Sequence, residues 1–102
     1  MVFVIASIEL AEGCRDAFLE EFRKIVPAVR AEAGCIEYGP TVDVESGIDA
    51  QQPLRDNVVT VVEKWESLDA LKAHLVAKHM QEYRPRVKEM VVSSKLQILQ
   101  PA

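Results

Sequence analysis

The stretch Glu63-Lys64-Trp65-Glu66-Ser67-Leu68 decides the fold, because a strand ends and a helix begins within it. The five residues before it, 58–62, are all β-branched, and such side chains suit a pleated strand but lose rotamer freedom in a helix. Ser67 stands where a helix N-cap belongs, and leucines then recur at helical spacing. We therefore predict a strand over residues 58–65, followed by a helix from Ser67 to about Lys78.

The other elements follow from hydrophobic spacing of period 2 for strands and 3.6 for helices. We predict strands over Val2–Leu10, Cys35 to about Val44 and Val92–Leu99, and a helix from near Cys14 to about Ala33. A further helical piece precedes the last strand, with Pro85 marking a kink or a fresh start. This order predicts one α+β domain over residues 1–102 with a ferredoxin-like split βαβ fold (βαββαβ), in which helices cover one face of an antiparallel sheet.

A proline within the second strand and a long segment after it predict departures from a simple hairpin. Alternation places Ile36, Tyr38 and Pro40 on one face, and Pro40 predicts that this strand lies at an edge or contains a bulge. The segment Glu45–Asn57 is too long for a tight hairpin turn. It is either a functional lid or partner contact, or a tolerated surface insertion.

Composition excludes several classes of function. The chain has 102 residues, a net charge of −4 and a pI near 5.1, which disfavours a nucleic-acid partner because that partner requires a basic patch. Its two cysteines show no paired spacing, so neither a zinc site nor a disulfide framework is indicated. The apolar start lacks a basic region before it and reads as a strand, not a signal peptide or membrane span. We expect a cytoplasmic protein with no membrane partner.

The chain resembles the antibiotic biosynthesis monooxygenase (ABM) family, in particular its quinol monooxygenase-like members. The order and spacing of several short pieces carry the resemblance, which covers nearly the whole chain. These pieces are residues 2–8, Glu12-Gly13, Phe18-Leu19, residues 26–32, Gly34-Cys35-Ile36-Glu37-Tyr38, Glu63-Lys64-Trp65-Glu66-Ser67, Ala73-His74-Leu75 and His79.

The resemblance implies a monooxygenase that uses O₂ to oxidise a small aromatic substrate of the quinol or polyphenol type. Oxygenases of this family work without flavin, haem or metal, so no cofactor is expected. A base removes a phenolic proton, and the resulting anion passes an electron to oxygen inside an apolar pocket. The resemblance also implies a homodimer of the dimeric α/β-barrel type. In the sequence, Phe3, Ile5 and the valines of the third strand would leave one sheet face too apolar for water.

Three residues are candidates for catalysis on this basis. His74 is the candidate base, since an imidazole beside a pocket titrates near neutral pH, although a helix-flank histidine often has only a structural role. Trp65 is the candidate pocket wall, and as a core residue its indole N–H still needs an acceptor. Either Tyr38 or the Trp65 N–H would donate a hydrogen bond to the substrate oxygen.

Four further residues are candidates for substrate binding: His79, Glu63, Arg84 and Val61. Glu63 is also readable as a solvated charge at the end of its strand, and Arg84 as a surface arginine beside a proline. Val61 stands where oxygenases of the family carry an asparagine, so this chain lacks that polar group. His79 would reach the cleft if the helix breaks near it.

A metal site built on the two histidines is disfavoured by their spacing. His74 and His79 are five residues apart, which on a straight helix turns the second side chain by about 140° from the first. We therefore expect no metal. Two alternatives to the monooxygenase remain open: an isomerase of a small oxygenated metabolite, and a dimer that binds a small ligand without turnover.

Overall fold

The computed structural model describes all 102 residues. Four strands and three α-helices follow one another in the predicted order, with one turn of 3₁₀ helix before the last strand. Their bounds are β1 Val2–Leu10, α1 Arg15–Arg30, β2 Cys35–Thr41, β3 Val58–Trp65, α2 Leu68–Leu75, α3 Lys78–Val87, the 3₁₀ turn Lys88–Met90 and β4 Val91–Leu99.

The four strands form one antiparallel sheet in the order β2-β3-β1-β4. The two central strands, β1 and β3, pair from Val2 opposite Trp65 to Glu9 opposite Val58. Alternate residues of both strands point to the helices, because successive side chains of a strand leave on opposite faces. The predicted α+β ferredoxin-like arrangement is therefore confirmed.

The second strand departs from simple alternation. It is shorter than predicted, ending at Thr41, and its register with β3 shifts between Cys35 and Glu37. A bulge of this kind inserts one residue and moves the residues after it to the other face. Ile36 is consequently exposed while Tyr38 is buried, so the prediction that they share a face is wrong. The edge position expected from Pro40 is confirmed.

The core lies between the helices and one face of the sheet. Eighteen buried hydrophobic residues form a single cluster. From α1 it takes Phe18, Leu19, Phe22, Ile25, Val26 and Val29, and from the two central strands Val2, Val4, Ala6, Leu10, Val59, Val61 and Trp65. Burial of an apolar side chain contributes about 1.5–3 kcal/mol, so these contacts supply the main force that holds the helices on the sheet.

The helical region after β3 consists of two helices, as predicted, but the first ends at Leu75 and not near Lys78. Ser67 caps α2 as expected, its side chain accepting a hydrogen bond from the Ala70 N–H. The helix then ends at Leu75, and Ala77, in an extended conformation, starts α3. Pro85 lies inside α3, so the fresh start is near residue 77 and not at the proline. This break sets the direction of His79.

The other face of the sheet carries apolar side chains and no helix. Phe3 and Ile5 are half-buried there, Lys64 places its amine 5.5 Å from the centre of the Phe3 ring, and Val62 and Leu99 are exposed. At the β4 edge, Leu96 and Ile98 are also exposed, although the register places them on the helix side. No helix is long and apolar enough to cross a membrane.

The long connection between β2 and β3 is closed at its base by an ion pair. The Arg55 guanidinium donates hydrogen bonds to both carboxylate oxygens of Asp43 at 2.8 and 2.9 Å, and the Arg55 backbone N–H donates a third. This environment lowers the pKa of the Asp43 carboxyl to about 2. Within the loop, the Gln51 side chain binds both Ser46 and the Val44 carbonyl.

Candidate active site

Three aromatic rings meet where β2, β3 and α2 come together. The His74 ring lies 4.8 Å from the Trp65 ring and 5.4 Å from the Tyr38 ring, measured between centroids. Trp65 and His74 are both essentially inaccessible to solvent, and Tyr38 is buried too. Burial raises the pKa of the Tyr38 hydroxyl, so that this group stays protonated and able to donate. The three candidate catalytic residues thus form one cluster.

Glu63 belongs to the same region and is buried, so its interpretation as a solvated charge is wrong. The Trp65 indole N–H donates a 2.9 Å hydrogen bond to Glu63 Oε1. This contact satisfies the indole, which is therefore not free to bind a substrate oxygen as the sequence suggested. Burial raises the pKa of the Glu63 carboxyl, although the hydrogen bond from Trp65 and the nearby His74 act in the opposite direction.

A carboxylate that sequence reasoning missed links the two histidines. Glu32 Oε2 lies 2.8 Å from His74 Nδ1 and 2.7 Å from His79 Nε2. The prediction that the histidines point apart assumed a straight helix, and it is wrong because the chain breaks between α2 and α3. The ligand atoms of the three residues lie within 4.8 Å of one another, a grouping that is able to hold a metal ion. The two contacts are shorter than the roughly 3.3 Å between ligand atoms around a tetrahedral zinc ion, and they have the length of hydrogen bonds.

The turn after α1 brings Glu32 to the histidines. Helix α1 ends at Arg30, three residues earlier than predicted, and Gly34 then takes a positive φ of 83°. The Gly34 carbonyl accepts a hydrogen bond from the Glu66 N–H, which holds the turn against the start of α2. A glutamate two residues before a helix-terminating glycine has many ordinary explanations, so no sequence signal selected Glu32 as a site residue.

The last two candidate residues lie apart from this cluster. Val61 is buried in the core on the helix-facing side of β3. Arg84 is exposed, and its guanidinium donates a hydrogen bond to the Leu75 carbonyl at the C-terminal end of α2. That contact satisfies a carbonyl that the helix itself leaves unpaired. Arg84 also lines a surface cavity with Gln81, Pro85, Lys88 and Val91, away from the histidines.

One surface cavity has Tyr38, but neither Trp65 nor His74, among the residues of its wall. Its volume is about 470 Å³, within the roughly 300–1,000 Å³ range of small-molecule sites. Its wall runs around the exposed edge of β2 and includes Arg30, Cys35, Tyr38, Pro40 and Val62. Burial raises the pKa of the Cys35 thiol, which agrees with a structural role for this residue.

Comparison with protein families matches the antibiotic biosynthesis monooxygenase model over residues 1–86. The chain belongs to the antibiotic biosynthesis monooxygenase family. Membership of this monooxygenase family makes it an enzyme of the oxidoreductase class. The resemblance carried by the residues around Trp65 and His74 is thereby confirmed.

Individual relatives of this ABM protein agree with the assignment. It is 43% identical over 103 residues to the probable quinol monooxygenase YgiN of Escherichia coli K12, covering 99% of this chain and 98% of the relative. Among solved structures, PA3566 from Pseudomonas aeruginosa matches with a TM-score of 0.80 and 25% identity, covering 99% of this chain and 93% of that one. SO0527 from Shewanella oneidensis matches with a TM-score of 0.79 and 27% identity, covering 96% and 87%.

Proposed function

We propose that the protein is a cofactor-independent monooxygenase that oxidises a quinol or related polyphenol with O₂. The observation that carries the proposal is the cluster of His74 with the Trp65 and Tyr38 rings. It combines a proton acceptor, a hydroxyl donor and flat apolar walls, which are the three parts that this chemistry needs. The 43% identity to a probable quinol monooxygenase supports this choice of substrate class.

In the first step His74 acts as general base. The hydroxyl O–H bond of the bound substrate breaks, its proton forms an N–H bond on the imidazole, and the substrate oxygen keeps the electron pair. The Tyr38 hydroxyl donates a hydrogen bond to this oxyanion. Because burial raises the pKa of Tyr38, the tyrosine remains a donor when negative charge develops beside it.

In the second step the substrate anion transfers one electron to O₂. The substrate radical and superoxide combine at a ring carbon that carries hydrogen, and the proton held by His74 completes a hydroperoxide. Loss of water then leaves a carbonyl, so that one oxygen atom enters the substrate and the other leaves as water. No external reductant is required. The buried surroundings of Trp65 keep bulk water from the radical pair.

The substrate enters from the cavity beside β2, where Tyr38 forms part of the wall. His74 is about 2% exposed, so side chains at this wall must move before the imidazole meets a ligand. A flat bicyclic quinol fits the cavity volume, and after this movement it would stack on the aromatic rings behind the wall.

We also infer that two copies associate through their open sheet faces. Phe3, Ile5, Val62 and Leu99 give this face its apolar character, and association removes them from water. The pairing of two sheets would produce the dimeric α/β-barrel assembly.

Oxygen uptake tests the proposal. Purified protein treated with chelator is given a panel of quinols and naphthols, and uptake is measured above the autoxidation blank. We expect substrate-dependent uptake that falls by about 10²-fold or more in His74→Gln. We expect Tyr38→Phe to reduce kcat by a smaller factor. Lys72→Gln, at an exposed site on the same helix, is the control and should keep full activity.

Each contrary result has a separate meaning. Full activity in His74→Gln would remove this residue from the chemistry. Product formation without oxygen uptake would replace the monooxygenase by an isomerase. Ligand-induced thermal stabilisation without any product would indicate a binding protein.

A further inference from the structure

We propose that Glu32 is the positioning residue for His74, and that His79 holds Glu32 in place from the solvent side. The expected effects on kcat rest on the proposed function. The expected hydrogen bonds and tautomers of the two histidines do not depend on it. The inference assigns a role to the carboxylate oxygen shared by the two imidazoles at 2.8 and 2.7 Å.

The shared oxygen fixes the tautomer of both rings. A carboxylate oxygen accepts hydrogen bonds, so at this distance each ring nitrogen facing Glu32 Oε2 must carry a proton. His74 is therefore protonated on Nδ1, and His79 on Nε2. The opposite nitrogen of a neutral imidazole is then an acceptor, and in His74 this is Nε2. The nitrogen that faces away from Glu32 is thus ready to take a proton from a substrate hydroxyl.

A protonated Glu32 would need a different arrangement of protons at the same distances. Its single O–H would donate to one ring nitrogen, and the other ring would donate to the same oxygen. The ionised carboxylate accepts both N–H groups at once. Its negative charge also stabilises the imidazolium that His74 becomes after it accepts the substrate proton.

Solvent exposure increases from His74 through Glu32 to His79. The side chains are 2%, 14% and 28% exposed, respectively. Glu32 has few other restraints, because it follows the end of α1 in a turn. A second donor on its outer side removes the freedom of the carboxylate to rotate toward water. His79 therefore acts at a distance from the substrate, through Glu32.

The first test reads the tautomer directly. The chain contains two histidines, so ¹⁵N–¹H correlation spectra of histidine-labelled protein contain two imidazole spin systems. We expect the neutral His74 ring to carry its proton on Nδ1 in the wild type. In Glu32→Gln the amide is able to donate to Nδ1, which lets the proton move to Nε2. Glu20→Gln, an exposed substitution on α1, should leave the spectrum unchanged.

The second test separates positioning from folding. We expect Glu32→Gln to lower kcat for quinol oxidation by about 10²-fold, with KM changed by less than about twofold. His79→Ala should lower kcat by about tenfold, and His79→Gln, which restores an N–H donor, should recover most of that loss. A merely structural role would not give this recovery in proteins of equal thermal stability.

Any of the following results would overturn the proposal: an Nε2 proton on His74 in the wild type, full kcat in Glu32→Gln, or equal loss in both His79 variants. Activity that chelator removes and zinc restores would also overturn it, because the three residues would then be metal ligands. If the wild type shows no oxygen uptake, the proposed function fails, while the tautomer measurement still decides the role of Glu32.

Discussion

Glu63 is a carboxylate in an unusual place for its residue type. It is 6% exposed on the helix-facing side of β3, and its hydrogen-bond partner is the neutral indole N–H of Trp65. Buried acidic groups are ordinarily paired with a cation, because the charged form loses its hydration. Burial accordingly raises the pKa of Glu63, and its ionisation therefore opposes folding.

Glu63→Gln should make the protein more stable at neutral pH. The folded state binds its proton more tightly than the unfolded state, so the stability of the wild type falls as pH rises from the unfolded pKa, near 4.5, through the raised folded pKa. Glutamine keeps an oxygen for the Trp65 N–H and has no charge. Melting temperatures measured from pH 4 to 8 should show a gain in the variant that grows with pH.

A gain that is the same at every pH would contradict this account, since it would come from packing and not from ionisation. Gln52→Glu, an exchange of the same two residue types at an exposed loop site, is the control and should show little pH-dependent change.

The residue-scale features show where prediction from sequence stops. The aromatic cluster was predictable, because Trp65 and His74 lie in a recognisable motif and Tyr38 lies on a neighbouring strand. Glu32 was not, because its role depends on a break at Ala77 that no proline or glycine marks. The burial of Glu63 was not predicted. The alternation of apolar and polar residues shows which face of a strand a residue lies on, but not how deeply a helix covers that residue.

At the scale of elements, the turn between α1 and β2 positions the candidate site. It carries Glu32, and Gly34 within it passes close to α2. A Cβ added to Gly34 would lie 2.6 Å from the Ala70 Cβ, whereas a Cβ added to Gly13 would meet nothing within 4 Å. Both glycines have positive φ, at 83° and 78°. The two positions therefore differ in packing and are alike in backbone conformation.

Gly34→Ala should be much more destabilising than Gly13→Ala. Both variants place a side chain in the left-handed region, which costs about 1–2 kcal/mol. Gly34→Ala adds a clash with α2, worth about 1–3 kcal/mol more. Chemical denaturation would measure the difference between the two free energies of unfolding. Equal values would show that α2 moves away from the turn at little cost.

Gly34→Ala should also disturb the histidine cluster, since the same turn carries Glu32. We expect the histidine spectrum to change in this variant and to stay as in the wild type in Gly13→Ala.

The break between α2 and α3 and the bulge in β2 belong to this scale too. Both arise from tertiary packing, so the spacing of residues along the chain predicted the order of elements but located neither irregularity.

For the whole molecule, the open sheet face is the feature that a monomer does not explain, because its apolar residues would be exposed to water. Helices cover one side of the sheet only, and the other side carries Phe3, Ile5, Val62 and Leu99 among polar residues. These features favour the homodimer over a monomer in solution.

Val62→Asp should convert the dimer to a monomer. The Val62 side chain is 37% exposed in one chain, so aspartate is tolerated by the protomer fold, but its charge would be buried without a partner in the dimer. Sedimentation velocity would give the mass of the variant. Val76→Asp, at a site 67% exposed between the helices, should remain dimeric. A monomeric wild type, or a dimeric Val62→Asp, would reject this interface.

The ion pair at the base of the β2–β3 loop has a consequence for how this chain is able to change over evolution. Asp43, just after β2, and Arg55, just before β3, hold the two ends of the loop together. The loop residues between them therefore do not set the register of the two strands. Residues gained or lost around Gly47, where the backbone has open space, would not shift the pairing of the strands. The loop is therefore a place where related proteins are free to diverge in length, and where a reporter peptide could be grafted.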